Sequence, residues 1–363
     1  MKIGIITKIG KNYGAVLQAY ALKKACEKMG NESHIIKYVP DKSRKTYHVC
    51  QYPWGPRGSI ANIKALTHFS KYKSSSEKFL EFREKNFDFI GDYYSYDMLC
   101  LQPPECDIYI SGSDQVWNPE ISFDKAFYFS FIENENKKLT SYAASIGLKK
   151  IPDSIEEEFK SRLEKFDYIS VRERQAKTIL SNMGIESVVT PDPTLLFSRD
   201  EWNKMAKCTI KGPYILCYFV SFPKGIDNIV NSVKKRMGKE YTVVNLMSSE
   251  ESSSIGDIKI RDAGPEEFLG LFKNASYVIT SSFHGTVFSI INRKPFMTTL
   301  YSSTSSRVTE LLDTVGLSDR IVTTNTKDID KYFASNIYTD LVETNIDNLR
   351  TNGKNVLKDI LKV

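Results

Sequence analysis

A few short segments of the 363-residue chain hold the side chains that could do chemistry, and the run Ser281-Ser282-Phe283-His284-Gly285 is the densest of them. It puts two hydroxyls and an imidazole between the apolar run Tyr277 to Thr280 and a helical pattern carrying Val287, Phe288, Ile290 and Ile291. A strand-to-helix turn of this kind offers its side chains together with helix N–H groups, which suits an anion and a proton transfer. The helix dipole alone adds roughly 0.3 to 1 kcal/mol for such an anion. The plainer alternative is that Ser281 or Ser282 caps the helix while His284 packs or faces water.

Four further segments are candidates. Ser111 to Asn118 (SGSDQVWN) sets Asp114, Gln115, Trp117 and Asn118 just past a short apolar run, a mixture that suits a sugar. Asp114 could orient or deprotonate a hydroxyl and Trp117 could stack on a pyranose face; a helix cap and a structural tryptophan are the equal alternatives. Ser170 to Arg174 (SVRER) offers Arg172 to a carboxylate or phosphate, or else a salt bridge with Glu173 at a helix start. Arg307, in STSSRVTELL, is a second cation near a helix start. Lys11 to Leu22 contains Asn12, Tyr13 and a glycine at a strand-to-helix turn, where a ligand could approach the backbone.

Several chemistries lack their signature. The chain has no GxGxxG and no GxxxxGK[ST], which removes support for dinucleotide and Walker-type nucleotide binding. It has no HExxH, no GxSxG and no carboxylate cluster at metal-ligand spacing. Six cysteines, Cys26, Cys50, Cys100, Cys106, Cys208 and Cys217, show neither CxxC nor zinc-like spacing and read as reduced thiols, several of them buried.

The elements that must position these groups follow from periodicity. Lys2 to Thr7 reads as a strand, Gly14 to Met29 as an amphipathic helix stopped by Gly30, and Ser33 to Val39 as a second strand. Residues 41–58, with Pro53, Pro56 and several aromatics, read as a long mobile loop of the kind that serves as a substrate lid. Helices are expected over Ser59 to Lys73 and Ser75 to Phe89. Strands near Asp107 to Ile110, Leu139 to Ala144, Tyr168 to Val171 and Ser187 to Val189 alternate with helices near Ser154 to Lys165 and Arg174 to Met183. The two prolines of Thr190 to Thr194 then mark a boundary. The second half repeats the pattern, with strands at Tyr214 to Phe219, Tyr241 to Leu246, Tyr277 to Thr280 and Pro295 to Thr299 separated by helices, and two helical segments in the tail.

Strand and helix alternation in both halves predicts an α/β protein of two Rossmann-like, doubly wound parallel-sheet domains facing across a cleft. The expected divisions are 1–195, an acceptor-side domain; 196–326, a donor-side domain carrying the His284 turn; and 327–363, a helical segment. In such sheets ligands bind beyond the carboxyl ends of the strands, a rule that picks out Lys8 to Gly14, Ser111 to Asn118, Ser145 to Gly147, Val171 to Arg174 and Ser281 to Thr286.

Composition sets the outer bounds. With 41% apolar and 26% charged residues the chain is an ordinary globular one. Its net charge of +6 suits a small anion or a membrane surface, and no nucleic-acid motif or dominant basic stripe accompanies it. The N-terminus meets Lys8 after a short apolar run, too soon for a signal sequence, and no segment approaches 18 apolar residues, so a cytoplasmic protein is expected. The basic, aromatic stretch between Lys42 and Lys78 suggests peripheral association with the inner face of the membrane.

Taken in order, NYGAVLQAYAL, SGSDQVWN, SYAASIG, SVRE, DPTLL and ASYVITSSFHGTVFSI resemble the polysaccharide pyruvyl transferase family. The resemblance implies a fold similar to the two-domain GT-B type, phosphoenolpyruvate as donor, and a cyclic pyruvate ketal on a sugar of a polysaccharide or its lipid-linked precursor. It implies an essential histidine at His284 and a functional arginine at Arg172. Members tend to carry an arginine two positions before the histidine, where this chain has Ser282. Either another cation such as Arg307 supplies that charge, or the donor is held differently, or the activity has diverged. On this reading His284 moves the proton, Arg172 and Arg307 hold the donor's carboxylate or phosphate, and Ser281 and Ser282 add phosphate contacts. Asp114 serves the acceptor hydroxyl, among acceptor contacts from Asn12, Tyr13, Gln115, Trp117 and Asn118. No cofactor or metal is called for, since fixed cations can offset the donor's charge. The rival expectations are a glycosyltransferase using a nucleotide sugar, and a non-catalytic glycan-binding relative.

Overall fold

The computed structural model describes residues 1–40, 69–133, 136–220, 222–247, 255–300, 305–323, 326, 328–333 and 336–362. The expected lid at 41–58, Cys50, the basic cluster from Lys42 to Lys45 and most of the helix expected over Ser59 to Lys73 lie outside the described residues. The chain forms two compact units. One comprises Met1–Lys45, Arg83–Phe197 and Asp347–Val363; the other comprises Thr46–Phe82 and Ser198–Ile346. Among the described residues no helix is long and apolar enough to cross a membrane.

The first unit is built on β1 (Lys2–Ile6), α1 (Tyr13–Lys28), β2 (Glu32–Tyr38), the end of α2 (Phe69–Asn86), β3 (Phe89–Tyr93), α3 (Tyr96–Leu101), β4 (Ile108–Ser111) and β5 (Lys138–Ser141). It continues through α4 (Glu156–Leu163), β6 (Ser170–Val171), α5 (Arg174–Asn182) and β7 (Val188–Val189). Its five-stranded sheet has the order β3-β2-β1-β4-β5 and every pairing is parallel. The parallel pair β6 and β7 is tied to this sheet by bridges from Thr140 to Tyr168 and from Ala144 to Val171. Strands covered on both faces must be apolar throughout, and Ile3, Ile5, Ile6, Ile108 and Ile110 are accordingly buried. Helix α1 starts where Asn12 Oδ1 accepts from Ala15 N at 3.1 Å, and it stops at Gly30, whose φ of 82° few other residues tolerate.

The second unit holds α6 (Arg199–Asn203), β8 (Tyr214–Phe219), α7 (Ile226–Met237), β9 (Thr242–Met247), β10 (Ile258–Ile260), α8 (Pro265–Asn274), β11 (Tyr277–Thr280), α9 (Phe283–Ile291), β12 (Phe296–Thr299), α10 (Ser305–Val315) and β13 (Ile321–Val322), with the first turns of α11 (Asp340–Ile360). The six strands run β10-β9-β8-β11-β12-β13, all parallel. In both units the order reverses beside the first strand, so the topological switch points lie between β1 and β4 and between β8 and β11.

Three features differ from expectation. Helix α2 runs unbroken through Ser74, Ser75 and Ser76, where a break was expected. The Ser76 hydroxyl donates back to the Tyr72 carbonyl and that of Ser75 to the Ala263 carbonyl, both at 3.0 Å, so neither competes with the helix backbone. The three edge strands β3, β10 and β13 appear where no strand was expected. The tail is mainly one helix, α11, whose Gly353 packs against Pro191, Leu196 and Tyr142 of the first unit.

Candidate functional site

The predicted site residues assemble at the two switch points, one group in each unit. In the second unit β11 ends at Thr280 and the next residues turn at once into α9. Thr280 Oγ1 donates to the Tyr218 carbonyl of β8 at 2.6 Å and accepts from Ser282 N at 3.0 Å, which pins the turn to the neighbouring strand. Ser281 N donates to the same Tyr218 carbonyl at 3.3 Å. Ser282 is the N-cap: its Oγ accepts from Gly285 N at 3.2 Å. His284 is therefore held in the first helical turn, 8% exposed, with its ring edge-on to Phe283 at 5.1 Å between centroids. Arg307 of α10 places its guanidinium carbon 5.8 Å from the centre of the same Phe283 ring. Imidazole and guanidinium thus both contact one phenyl ring beside a helix N-terminus, an arrangement able to hold an anion and pass a proton.

Tyr218 was not legible as a site residue, since it sits in an unbroken apolar strand, YILCYF. Burial pushes its hydroxyl well above the ordinary tyrosine range, opposed by a hydrogen bond with Ser282. It stays protonated and helps to fix the cap.

In the first unit, β4 ends at Ser111 and the chain turns through Gly112, Ser113 and Asp114. Thr7 at the end of β1 donates from Oγ1 to the Ser113 carbonyl at 2.8 Å and accepts from Gln18 Nε2 at 2.9 Å. The approach is close enough that a Cβ at Gly112 would stand 2.9 Å from that of Thr7. Asp114 adopts φ 79°, a left-handed conformation that costs about 1 kcal/mol or more and persists where neighbours over-determine it. Its carbonyl accepts from Val116 N at 2.8 Å and Ser145 N at 3.0 Å, and its Oδ1 accepts from Gln115 N at 2.8 Å. Lys8 Nζ donates to the Gln115 carbonyl at 2.7 Å, and Asn118 Nδ2 donates to Gln115 Oε1 at 3.2 Å.

Trp117 is not a sugar platform. Its side chain is fully buried, stacks on Tyr128 at 6.0 Å and donates its indole N–H to the Phe127 carbonyl at 3.2 Å, so no face is left for a pyranose. Asn12 is exposed and spends its side-chain oxygen on the α1 cap, while Tyr13 is buried.

Arg172, expected on the donor, lies among acids. Its Nη1 donates to Asp192 Oδ2 at 2.9 Å and to Ser113 Oγ at 3.4 Å, and its Nε donates to Glu173 Oε1 at 3.3 Å. Burial opposes its charge, but Glu173, Asp192 and Asp114 outweigh that and raise its pKa further. Glu173 Oε1 also accepts from the Ser145 hydroxyl at 2.5 Å, and Asp192 Oδ1 from Thr194 N and Oγ1 at 3.0 and 2.7 Å. The salt bridge with Glu173 is the alternative that the sequence offered for Arg172, while Ser113 and Ser145 were visible only as small polar residues at strand ends and Asp192 only as the acid of DPT.

The UDP-GlcNAc 2-epimerase from Neisseria meningitidis, solved bound to UDP-GlcNAc, superposes with a TM-score of 0.55 at 14% identity, covering 99% of both chains. A protein of Listeria monocytogenes, provisionally assigned as a UDP-N-acetylglucosamine 2-epimerase, gives 0.52 at 13% identity, covering 98% of this chain and 90% of its own. These likenesses establish the GT-B fold. No curated protein matches the chain in sequence. The family model for polysaccharide pyruvyl transferase matches residues 12–303, a span that takes in Asp114, Arg172 and His284, and the chain belongs to that family.

Proposed function

We propose that the chain moves the pyruvyl group of phosphoenolpyruvate onto a sugar of a polysaccharide or its lipid-linked precursor, forming a cyclic ketal and releasing inorganic phosphate. The observation that carries this reading is His284 in the first turn of α9, at the switch point of the second sheet, with Arg307 at the same Phe283 ring. An imidazole that can give a proton, beside a fixed cation and a helix N-terminus, supports chemistry on a small anion.

In this reading His284 delivers a proton to the methylene carbon of the donor while one sugar hydroxyl, giving up its own proton to Asp114, attacks the adjacent carbon. The second hydroxyl then displaces phosphate from that carbon, and its proton leaves with the phosphate. Arg307 and the Ser281-Ser282 turn hold the donor's charged groups. Asp114, with Gln115 and Asn118, receives the acceptor. Arg172 contributes by organising that acceptor turn, because an anionic donor placed against it would meet three carboxylates. The domain roles follow: the second unit holds the donor and the first the acceptor. A peripheral position at the inner face of the membrane suits a lipid-linked acceptor.

Purified protein incubated with phosphoenolpyruvate and a panel of hexosides should release inorganic phosphate and yield an acceptor heavier by one ketal-linked pyruvate. Release of a nucleoside diphosphate from a sugar nucleotide, with no phosphate from phosphoenolpyruvate, overturns the reading in favour of glycosyl transfer. Glycan binding without donor consumption would show a non-catalytic relative.

A further inference from the structure

Five strand ends of the first unit are joined by one buried hydrogen-bonded chain. It runs from Gln18 through Thr7 to the Ser113 carbonyl, and from the Ser113 hydroxyl to Asp192 Oδ2 at 3.1 Å. From there it passes through the Arg172 guanidinium to Glu173 and on to Ser145. Thr7 follows β1, Ser113 follows β4, Ser145 follows β5, Arg172 and Glu173 follow β6, and Asp192 follows β7. The side chains of Arg172, Glu173 and Asp192 are 3%, 3% and 0% exposed, so their charges answer to one another rather than to solvent.

Ser113 immediately precedes the left-handed Asp114, and the backbone on its other side is held as well. Ala144, bridged to Asp114, accepts at its carbonyl from Arg172 N at 3.1 Å. The strained residue is thus gripped from both directions by groups that converge on Asp192. A buried carboxylate with its Oδ1 on Thr194 and its Oδ2 shared by Ser113 and Arg172 has little freedom to shift.

We propose that Asp192 is a positioning residue which, through Arg172 and Ser113, fixes the Asp114 turn in the shape that meets the acceptor sugar. The kinetic part of this assignment rests on the pyruvyl-transfer reading; the structural part does not. Arg172 then belongs to the acceptor side, and its charge serves to bind Asp192 and Glu173.

The test uses the full chain and the variant Asp192→Asn, which keeps shape and the Thr194 contacts but removes the charge. Hydrogen exchange across Gly112 to Asn118 should quicken by roughly tenfold or more, as loss of a charge-assisted buried bond predicts, while β8 and α7 of the second unit exchange as in wild type. With a p-nitrophenyl hexoside that the wild type accepts, the acceptor KM should rise by about tenfold or more with the phosphoenolpyruvate KM within about twofold, a split that general loss of stability would not produce. Arg172→Lys, which cannot span both acids, should reproduce this split. Unchanged exchange in the turn, or a phosphoenolpyruvate KM that rises as much as the acceptor KM, overturns the proposal. Should Asp192→Asn fail to fold, Ser113→Ala removes one link alone and must still quicken exchange in the same turn. If the wild type consumes no phosphoenolpyruvate with any hexoside, the pyruvyl-transfer reading fails, and the exchange measurement still decides the role of Asp192.

Discussion

Gly285 lies so close to Thr280 that a Cβ at position 285 would stand 2.2 Å from the Thr280 hydroxyl oxygen. That oxygen cannot withdraw, because it donates to the Tyr218 carbonyl at 2.6 Å and accepts from Ser282 N at 3.0 Å. The start of α9 is therefore seated on the end of β11 by a contact only glycine permits, and His284 takes its place from it. Gly285→Ala should destabilise the chain by about 1–3 kcal/mol, the usual cost of overpacking, read as a lower urea midpoint at unchanged slope. Donor turnover should fall further than the unfolded fraction explains, since the imidazole moves with the turn.

His284→Gln tests the proton transfer directly. The side chain is 8% exposed with its ring edge-on to Phe283, and glutamine has similar bulk and an amide that can donate or accept in place of the ring nitrogens, so stability read from the urea midpoint should fall by no more than about 1–2 kcal/mol. Phosphate release from phosphoenolpyruvate should drop by roughly 10²- to 10⁴-fold, the range for loss of a general acid or base. A variant retaining more than about a tenth of wild-type turnover would remove His284 from the chemistry.

Ser282→Asp separates capping from donor binding. Aspartate caps helices as well as serine, so the bond from Gly285 N survives and stability should hold within about 0.5 kcal/mol. The added negative charge stands where the proposed function puts the donor's anionic groups, beside the Phe283 ring that Arg307 approaches. The KM for phosphoenolpyruvate should therefore rise by about tenfold or more, measured from initial rates of phosphate release. An unchanged KM would place the donor elsewhere.

How much of this was legible in the sequence depends on whether a residue's role is local. The strand Tyr277–Thr280, the turn and α9 could be read from an apolar run followed by a change of period, and the structure places them there. The edge strands β3, β10 and β13 could not. FIGDY, IKI and IV carry no long apolar run, because an edge strand takes its shape from the neighbour it pairs with. Trp117 and Arg172 show the same limit at the site. A tryptophan beside amides and an acid looks alike in sequence whether it faces a sugar or Tyr128, and only the fold brings Asp192 to Arg172 across 20 residues.

The cysteines give a check on burial that needs no substrate. Burial pushes the thiols of Cys26 and Cys106 up to about 12 and about 11, while Cys100 and Cys208 are exposed. In native protein at about pH 8, N-ethylmaleimide should modify Cys100 and Cys208 within minutes and leave Cys26, Cys106 and Cys217 untouched until denaturant is added. Peptide mapping of the labelled chain reads the result. Rapid modification of Cys26 would mean that α1 does not pack as described.

Asp257 provides a pH dependence whose sign is fixed. Its Oδ2 accepts from Lys234 Nζ at 2.6 Å and from Val243 N at 2.8 Å, tying the approach to β10 onto α7 and β9. The Lys234 hydrogen bond, followed by that of Val243, lowers its pKa below the ordinary 3.8. The folded state therefore holds the proton less tightly than the unfolded chain, and the stabilisation is complete at neutral pH and lost as pH falls below about 4. Lys234 and Asp257 are 35% and 47% exposed, so the contribution is screened and should not exceed about 1 kcal/mol. Asp257→Asn should unfold at slightly lower urea than wild type at neutral pH, and the difference should shrink as the pH is lowered through that window. A gap that widens toward acid would reverse the sign and exclude the ion pair as its source.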